Sequence, residues 1–253
     1  MIKKNDLRLD LKTWPEVKEY LKTNKAIILP LGSTEQHGPT GAIGTDAITA
    51  KSISSRVALE TNVLVAPVQP YGMAEHHLGF PGTMSLKPQT LQKLIFDLLY
   101  SLSINGFEKV FIINGHGGNI ASSKAAFSAF YSYISQSSLI SKKFKCKIAS
   151  WFLNSRVYSE ANNLYGNKDG QHATPSEIAL TIYLYPELRE KLIVLDPPAK
   201  SGPIYGSQDF KNRYPDGRMG SYPSLAKPEH GEKLLNLASR ELSQDLIKFI
   251  EEK

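Results

Sequence analysis

The apolar residues of this chain fall into two rhythms that take turns along it. Continuous apolar runs occupy Ala26–Leu31 (Ala-Ile-Ile-Leu-Pro-Leu), 63–68, 109–113 and 147–153, and their length is that of buried strands. Between them the spacing becomes helical: Leu91, Leu94, Ile95, Leu98, Leu99 and Leu102 line one face and predict a helix over Pro88–Ile104. Further helices are predicted at 14–21 and 121–135, from Pro175 onward, and over Pro228–Glu251. Strands that alternate with helices predict an α/β, single-domain three-layer fold with a mainly parallel sheet flanked by helices. Residues 196–222 hold four prolines and show no periodicity. They read as a long functional loop at a subunit interface, because nothing in them can bury itself.

Composition narrows the class. A hydrophobic share of 41% and a charged share of 21% lie near globular averages, which argues against disorder and fibrous folds. No apolar run approaches the roughly 20 residues of a membrane span, and Met1 to Asp6 lack the apolar core of a signal peptide. A cytoplasmic protein without a membrane partner is the expectation. The single cysteine, Cys146, has no partner for an internal disulfide. A net charge of +6 raises the question of nucleic acid. The basic residues are scattered apart from 142–147, and no nucleic-acid-binding motif accompanies them, so no such partner is expected.

The chemistry lies in the loops that follow the strands. After Leu31 the chain reads Gly-Ser-Thr-Glu-Gln-His and reaches Asp46, which sets Glu35, His37 and Asp46 at a strand's carboxyl end, where open α/β sheets place ligands. Two carboxylates and an imidazole are a mixed oxygen and nitrogen set suited to zinc, manganese or iron. After the run at 109–113 comes Asn114-Gly-His116-Gly117-Gly-Asn119, whose two asparagines could orient His116 or bind a substrate. A third segment, Gln171-His172-Ala-Thr-Pro-Ser-Glu177, opens a helix. Glu177 fits the acidic half of a capping box with Thr174, and equally a metal ligand. His172 has no partner at ligand spacing and reads as a proton donor or acceptor. Nucleotide and serine-hydrolase motifs, Gly-x-Ser-x-Gly among them, are absent.

Glu-x-His followed by Asp, Asn-Gly-His-Gly-Gly-Asn, and His-Ala-x-x-x-Glu together resemble the creatininase (creatinine amidohydrolase) family. The loop from Tyr71-Gly72 to Phe80-Pro-Gly-Thr83 and the element from Pro223 to Gly231 resemble it too. The resemblance implies two divalent ions (Zn, Mn or Fe) bridged by Asp46, one held by Glu35, Asp46 and His116, the other by His37 and Asp46. It implies hydrolysis of a non-peptide C–N bond in a small cyclic amide or formamide, with His172 passing a proton to the leaving nitrogen. Glu75, His76, His77, Asn114, Gly117 and Asn119 become the expected substrate contacts, and a homo-oligomer, a hexamer, the expected assembly. Creatininase proper carries Tyr and a ligand Glu where this chain has Gly117 and Gly118. The Gly-Gly form is nearer the branch with formamide hydrolases and the mycofactocin-precursor peptidase. Glu177 is then the first choice to complete the second ion's shell, so it counts as both ligand and catalytic residue. Creatinine hydrolysis, mycofactocin-type peptide cleavage and a metal-binding role without turnover are the alternatives.

Overall fold

The computed structural model describes residues 6–137 and 141–252; the N-terminal stretch Met1 to Asn5 read above lies outside them. The first helix, α1 (Trp14–Tyr20), leads to strand β1 (Ala26–Leu31). Helix α2 (Thr45–Thr61) and strand β2 (Leu64–Val65) follow, then helix α3 (Pro88–Ile104) and strand β3 (Lys109–Asn114). Helix α4 (Asn119–Gln136) leads to strand β4 (Lys145–Ser150). Four helices complete the chain: α5 (Ser155–Tyr165), α6 (Pro175–Leu184), α7 (Ser207–Arg213) and α8 (Pro228–Glu251).

All four strands pair in parallel, in the order β2-β1-β3-β4. The expected layered α/β fold is therefore present. Both faces of the sheet are covered, and successive residues of a strand enter opposite cores. Ala26 and Ile28 of β1, with Phe111 and Ile113 of β3, pack toward α2, α5 and α8. Ile27, Leu29 and Leu31, with Val110 and Ile112, pack toward α3 and α4. The apolar stripe of α3 closes the second core through Leu91, Ile95 and Leu99, each fully buried. Burial of that kind contributes about 1.5–3 kcal/mol per side chain.

The chain leaves β1 toward β2 on one side and returns to β3 on the other, so the order reverses between β1 and β3. Crevices at such reversals, at the carboxyl ends of the strands, are where open α/β sheets bind ligands. Leu31 and Asn114 are register partners at that end, and the two His-bearing loops start there.

Several boundaries differ from the sequence reading. β2 is two residues rather than 63–68, because Pro67 has no N–H for a ladder. β4 starts and stops earlier than 147–153, and Trp151–Leu153 forms a 3-10 turn. The sequence reading names neither α2 nor α5. The buried face of α2 is largely Thr45, Asp46, Thr49, Ala50 and Ser54, with few large apolar side chains, whereas α5 does carry Val157, Ala161 and Tyr165 at helical spacing. The second half of the segment at 196–222 buries part of itself, contrary to expectation: it contains α7, and Phe210, Tyr214 and Met219 form a small core with Phe80 and Ala199, while 200–206 stay exposed. Among the described residues no helix is long and apolar enough to cross a membrane.

Candidate metal centre

Asp46 sits in the first turn of α2, where a carboxylate is favoured by the helix dipole. It reaches the crevice because Gly115, just beyond β3, leaves room for that turn: a Cβ at Gly115 would collide with the backbone carbonyl of Asp46. From this position the two oxygens of Asp46 separate. Oδ1 stands 3.2 Å from His37 Nε2, and Oδ2 stands 3.4 Å from His116 Nδ1. Glu35 Oε2 is 3.1 Å from the same His116 Nδ1, and Glu177 Oε1 is 3.2 Å from the same His37 Nε2. Arms of about 2.0–2.1 Å at tetrahedral angles would put ligand atoms roughly 3.3 Å apart, which is close to these four distances. The ligand atoms of Glu35, Asp46 and His116 all lie within 4.8 Å of one another, whereas the group that closes in this way around His37 is His37, His172 and Glu177.

Each imidazole is turned the right way. His116 Nε2 lies 2.9 Å from the Met73 carbonyl and His37 Nδ1 lies 3.1 Å from the Glu35 carbonyl. A carbonyl only accepts, so these nitrogens carry the protons and the opposite ones present lone pairs to the carboxylates. Glu35 and Asp46 are almost wholly buried, and Glu35 Oε1 and Asp46 Oδ2 have no hydrogen-bond partner. Buried carboxylate oxygens without partners are costly unless a cation joins them, and this chain's donor set fits divalent ions.

The protonation pattern carries the same message. Burial and the Asp46 charge hold the Glu35 carboxyl above the usual range, although His116 opposes this. Burial would raise Asp46 as well, but His37 and His116 outweigh it and hold Asp46 below the usual range. Burial pulls His37 and His116 down, and the facing carboxylates overcome it, so both lie well above the ordinary imidazole value. The inward nitrogens would hold protons only for want of another cation. His172 goes the other way, held well below the usual range by burial and the His37 charge.

His172 is drawn into the cage rather than left without partners at ligand distance. Its ligand atom lies within 4.8 Å of those of His37 and Glu177, and within 4.8 Å of those of Glu35 and His77. Its Nε2 is 2.7 Å from the Gln36 carbonyl, and Ser221 Oγ donates to its backbone carbonyl at 2.6 Å. Glu177 also completes the capping box of α6: Oε1 accepts the Thr174 N–H at 3.1 Å, and Thr174 Oγ1 accepts the Glu177 N–H at 3.2 Å. The capping-box reading of Glu177 therefore holds, and the same Oε1 also stands 3.2 Å from His37 Nε2.

The expected substrate contacts divide. Asn114 and Asn119 are fully buried and committed to the loops: Asn114 Nδ2 donates to the His116 carbonyl at 2.7 Å, Asn119 Nδ2 to the Gly32 carbonyl at 2.9 Å. They orient the His116 turn instead of facing a substrate. His77 is likewise internal, its ring 4.6 Å from that of Phe210. Glu75 and His76 stay half-buried at the rim, with His76 stacked 6.3 Å from His116. Burial and the His116 charge hold His76 down to about 4, so it is neutral. Gly117 is exposed, and a Cβ there would meet nothing within 4 Å, so this side of the cage is open. A side chain at Gly118 would collide with the Met73 carbonyl and the His116 ring, so this position offers no ligand.

Sequence reasoning missed Ser33, whose Oγ donates to Glu35 Oε2 at 2.7 Å, and Gln36, whose amide lies among the histidines. Both stand in the loop after β1 that carries the other ligands, and that was the available signal. Nothing local marked Phe210 or Ser221. His230 lies away from the cage, its Nδ1 2.9 Å from Tyr165 Oη. Burial pushes the Cys146 thiol up to about 12, so it offers no thiolate.

Comparison with known proteins agrees with this geometry. The chain matches the creatininase family, described as creatinine amidohydrolase, over residues 10–246. It is 36% identical to 3-dehydro-scyllo-inosose hydrolase of Thermotoga maritima over 106 residues, 42% of this chain and 34% of that protein. It is 35% identical to the mycofactocin precursor peptide peptidase of Mycolicibacterium smegmatis over 106 residues, 40% of this chain and 42% of that protein. The chain thus spans less than half the length of these curated relatives. With creatinine amidohydrolase of Pseudomonas putida it shares 26% identity over 203 residues, 76% of this chain and 77% of that protein. A solved manganese creatininase superposes with a TM-score of 0.86 at 23% identity, covering 98% of this chain and 100% of that one. A Glu-to-Gln creatininase variant of the Zn-Zn type gives 0.85 at 22% identity, covering 98% and 99%. The chain belongs to the creatininase family.

Proposed function

We propose that this chain is a dinuclear metal-dependent amidohydrolase that opens a non-peptide C–N bond in a small cyclic amide or formamide. The observation that carries this reading is the divided Asp46 carboxylate, with one oxygen toward His37 and Glu177 and the other toward His116 and Glu35. A single carboxylate whose two oxygens face different imidazoles is what a pair of adjacent ions would need. Three carboxylates, Glu35, Asp46 and Glu177, supply enough negative charge for two divalent cations and an ionised water. Zinc, manganese and iron all suit the oxygen and nitrogen donors. Such a pair, when bound, supplies a water of lowered pKa and polarises a substrate carbonyl.

The chain's own residues do the rest. Glu35, Asp46 and His116 would hold one ion, and His37 and Glu177, with the second oxygen of Asp46, the other. His172 presents Nδ1 toward Glu35 Oε1 at 3.8 Å and moves a proton between the attacking side and the leaving nitrogen. Phe210 lies against His76, His77 and His172 and keeps bulk water from that path. His76 and Glu75, at the rim, offer polar groups to the substrate. Peptide cleavage is the second reading, favoured by the open space over Gly117, which admits a larger substrate than a small ring.

A panel of creatinine, formamidopyrimidines, other small cyclic amides and short peptides, run on protein reconstituted with zinc, manganese or iron, tests the proposal. Turnover of a cyclic amide or formamide that stops on chelation supports it. Turnover of peptides alone favours the second reading, and turnover unaffected by chelation contradicts both. A cytoplasmic hexamer acting on a small molecule is part of the same proposal.

A further inference from the structure

One amide lies among the site histidines. Gln36 is 5% exposed, and each of its polar atoms has a fixed partner. Oε1 accepts the Gly38 N–H at 2.7 Å, which sets the orientation of the amide. Nε2 then has two hydrogens for three neighbours: the Gly217 carbonyl at 3.1 Å, His77 Nδ1 at 2.8 Å and His172 Nε2 at 3.0 Å. The carbonyl can only accept, so it takes one hydrogen. His172 Nε2 is also 2.7 Å from the Gln36 backbone carbonyl, so that nitrogen is itself a donor and takes nothing from the amide. The second hydrogen goes to His77 Nδ1.

We infer that Gln36 is a positioning residue that selects the tautomers of two site histidines: its backbone carbonyl places the His172 proton on Nε2, and its side-chain amide places the His77 proton on Nε2. The consequences differ for the two rings. His172 is left with a bare Nδ1 facing the cage, so it starts as a proton acceptor at that atom. His77 carries its Nε2 proton 3.5 Å from Glu35 Oε1, without a formed hydrogen bond. With that nitrogen protonated, His77 is not itself a ligand. Glu35, His77 and His172 have ligand atoms close enough to suggest a further cation site, but a protonated His77 Nε2 removes one of its three donors. The bearing on catalysis rests on the function proposed above; the tautomers do not.

Nitrogen-15 spectra of the imidazoles in zinc-loaded protein test this without a substrate, with His77→Gln and His172→Gln variants assigning the signals. Both rings are expected to carry the proton on Nε2. Gln36→Met removes the amide and keeps the backbone carbonyl, so the His77 tautomer is expected to change or become mixed while His172 stays as it was. A wild-type His77 or His172 protonated on Nδ1 alone overturns the inference, and so does a His77 signal unchanged in Gln36→Met. A variant in which both rings change together also counts against it. The wild-type spectrum decides even if the Met variant fails to fold, and a result against the tautomers leaves the metal count and the substrate panel untouched.

Discussion

Glu177 Oε1 stands 3.2 Å from His37 Nε2 while the same oxygen accepts the backbone N–H of Thr174 at 3.1 Å. One carboxylate thus starts α6 and faces the cage. Glutamine keeps the carbonyl oxygen that caps the helix but removes the charge that an ion requires. Glu177→Gln should cost at most about 1 kcal/mol of stability, yet lose roughly one metal ion per chain and nearly all activity. Metal analysis beside a denaturation curve checks this. Two retained ions would remove Glu177 from the ligand set.

The two glycines after His116 should respond differently to the same change. A Cβ at Gly118 would press on the Met73 carbonyl and the His116 ring, which donates to that carbonyl. Gly118→Ala should therefore destabilise the protein by about 1–3 kcal/mol and weaken metal binding, while Gly117→Ala, with open space above it, should do neither. Thermal unfolding and metal titration of the pair provide the comparison. Equal behaviour would contradict the described packing of the loop.

Layer order and most strands were legible in the apolar pattern because β1 and β3 are buried on both faces and read as unbroken runs. The candidate ligands were legible because Glu35, His37 and His116 lie in the loops that follow those runs, with Asp46 at the start of the helix after the first of them. What stayed hidden depends on distant contacts. α2 packs through small and polar residues, and its first turn is accommodated by Gly115, seventy residues later in the chain. Phe210 and Ser221 reach the site only because α7 and the strand-like stretch near Met219 fold over it, with His172 bridging to Met219. Asn114 and Asn119 looked like substrate ligands because a sequence shows polarity but not burial.

Asp169, which hydrogen-bonds Ser176 beside Glu177, gives a pH test. Burial raises its carboxyl to about 6, partly offset by hydrogen bonds from the Ser176 N–H and hydroxyl. Between the ordinary 3.8 and about 6, the folded protein holds this proton more tightly than the unfolded chain does. Its contribution to stability is therefore present below that window and declines as pH rises through it. Asp169→Asn, which has no proton to lose, should gain stability relative to wild type from pH 4 to 6.5 in chelator-treated protein. Denaturation at several pH values measures this, and a constant difference between the two proteins would contradict it.

His172→Ala should keep its metals and lose turnover by roughly 10²- to 10⁴-fold on the substrate that the panel identifies, the range for a positioned acid-base residue. Loss of an ion instead would make His172 a ligand.

The metal content of the purified, reconstituted protein tests the central claim most directly, measured beside Asp46→Asn. Wild type should bind two divalent ions per chain. Asp46→Asn should lose both, because the two oxygens of Asp46 face different imidazoles. One ion or none in wild type, or two retained in Asp46→Asn, would contradict a dinuclear centre organised around Asp46.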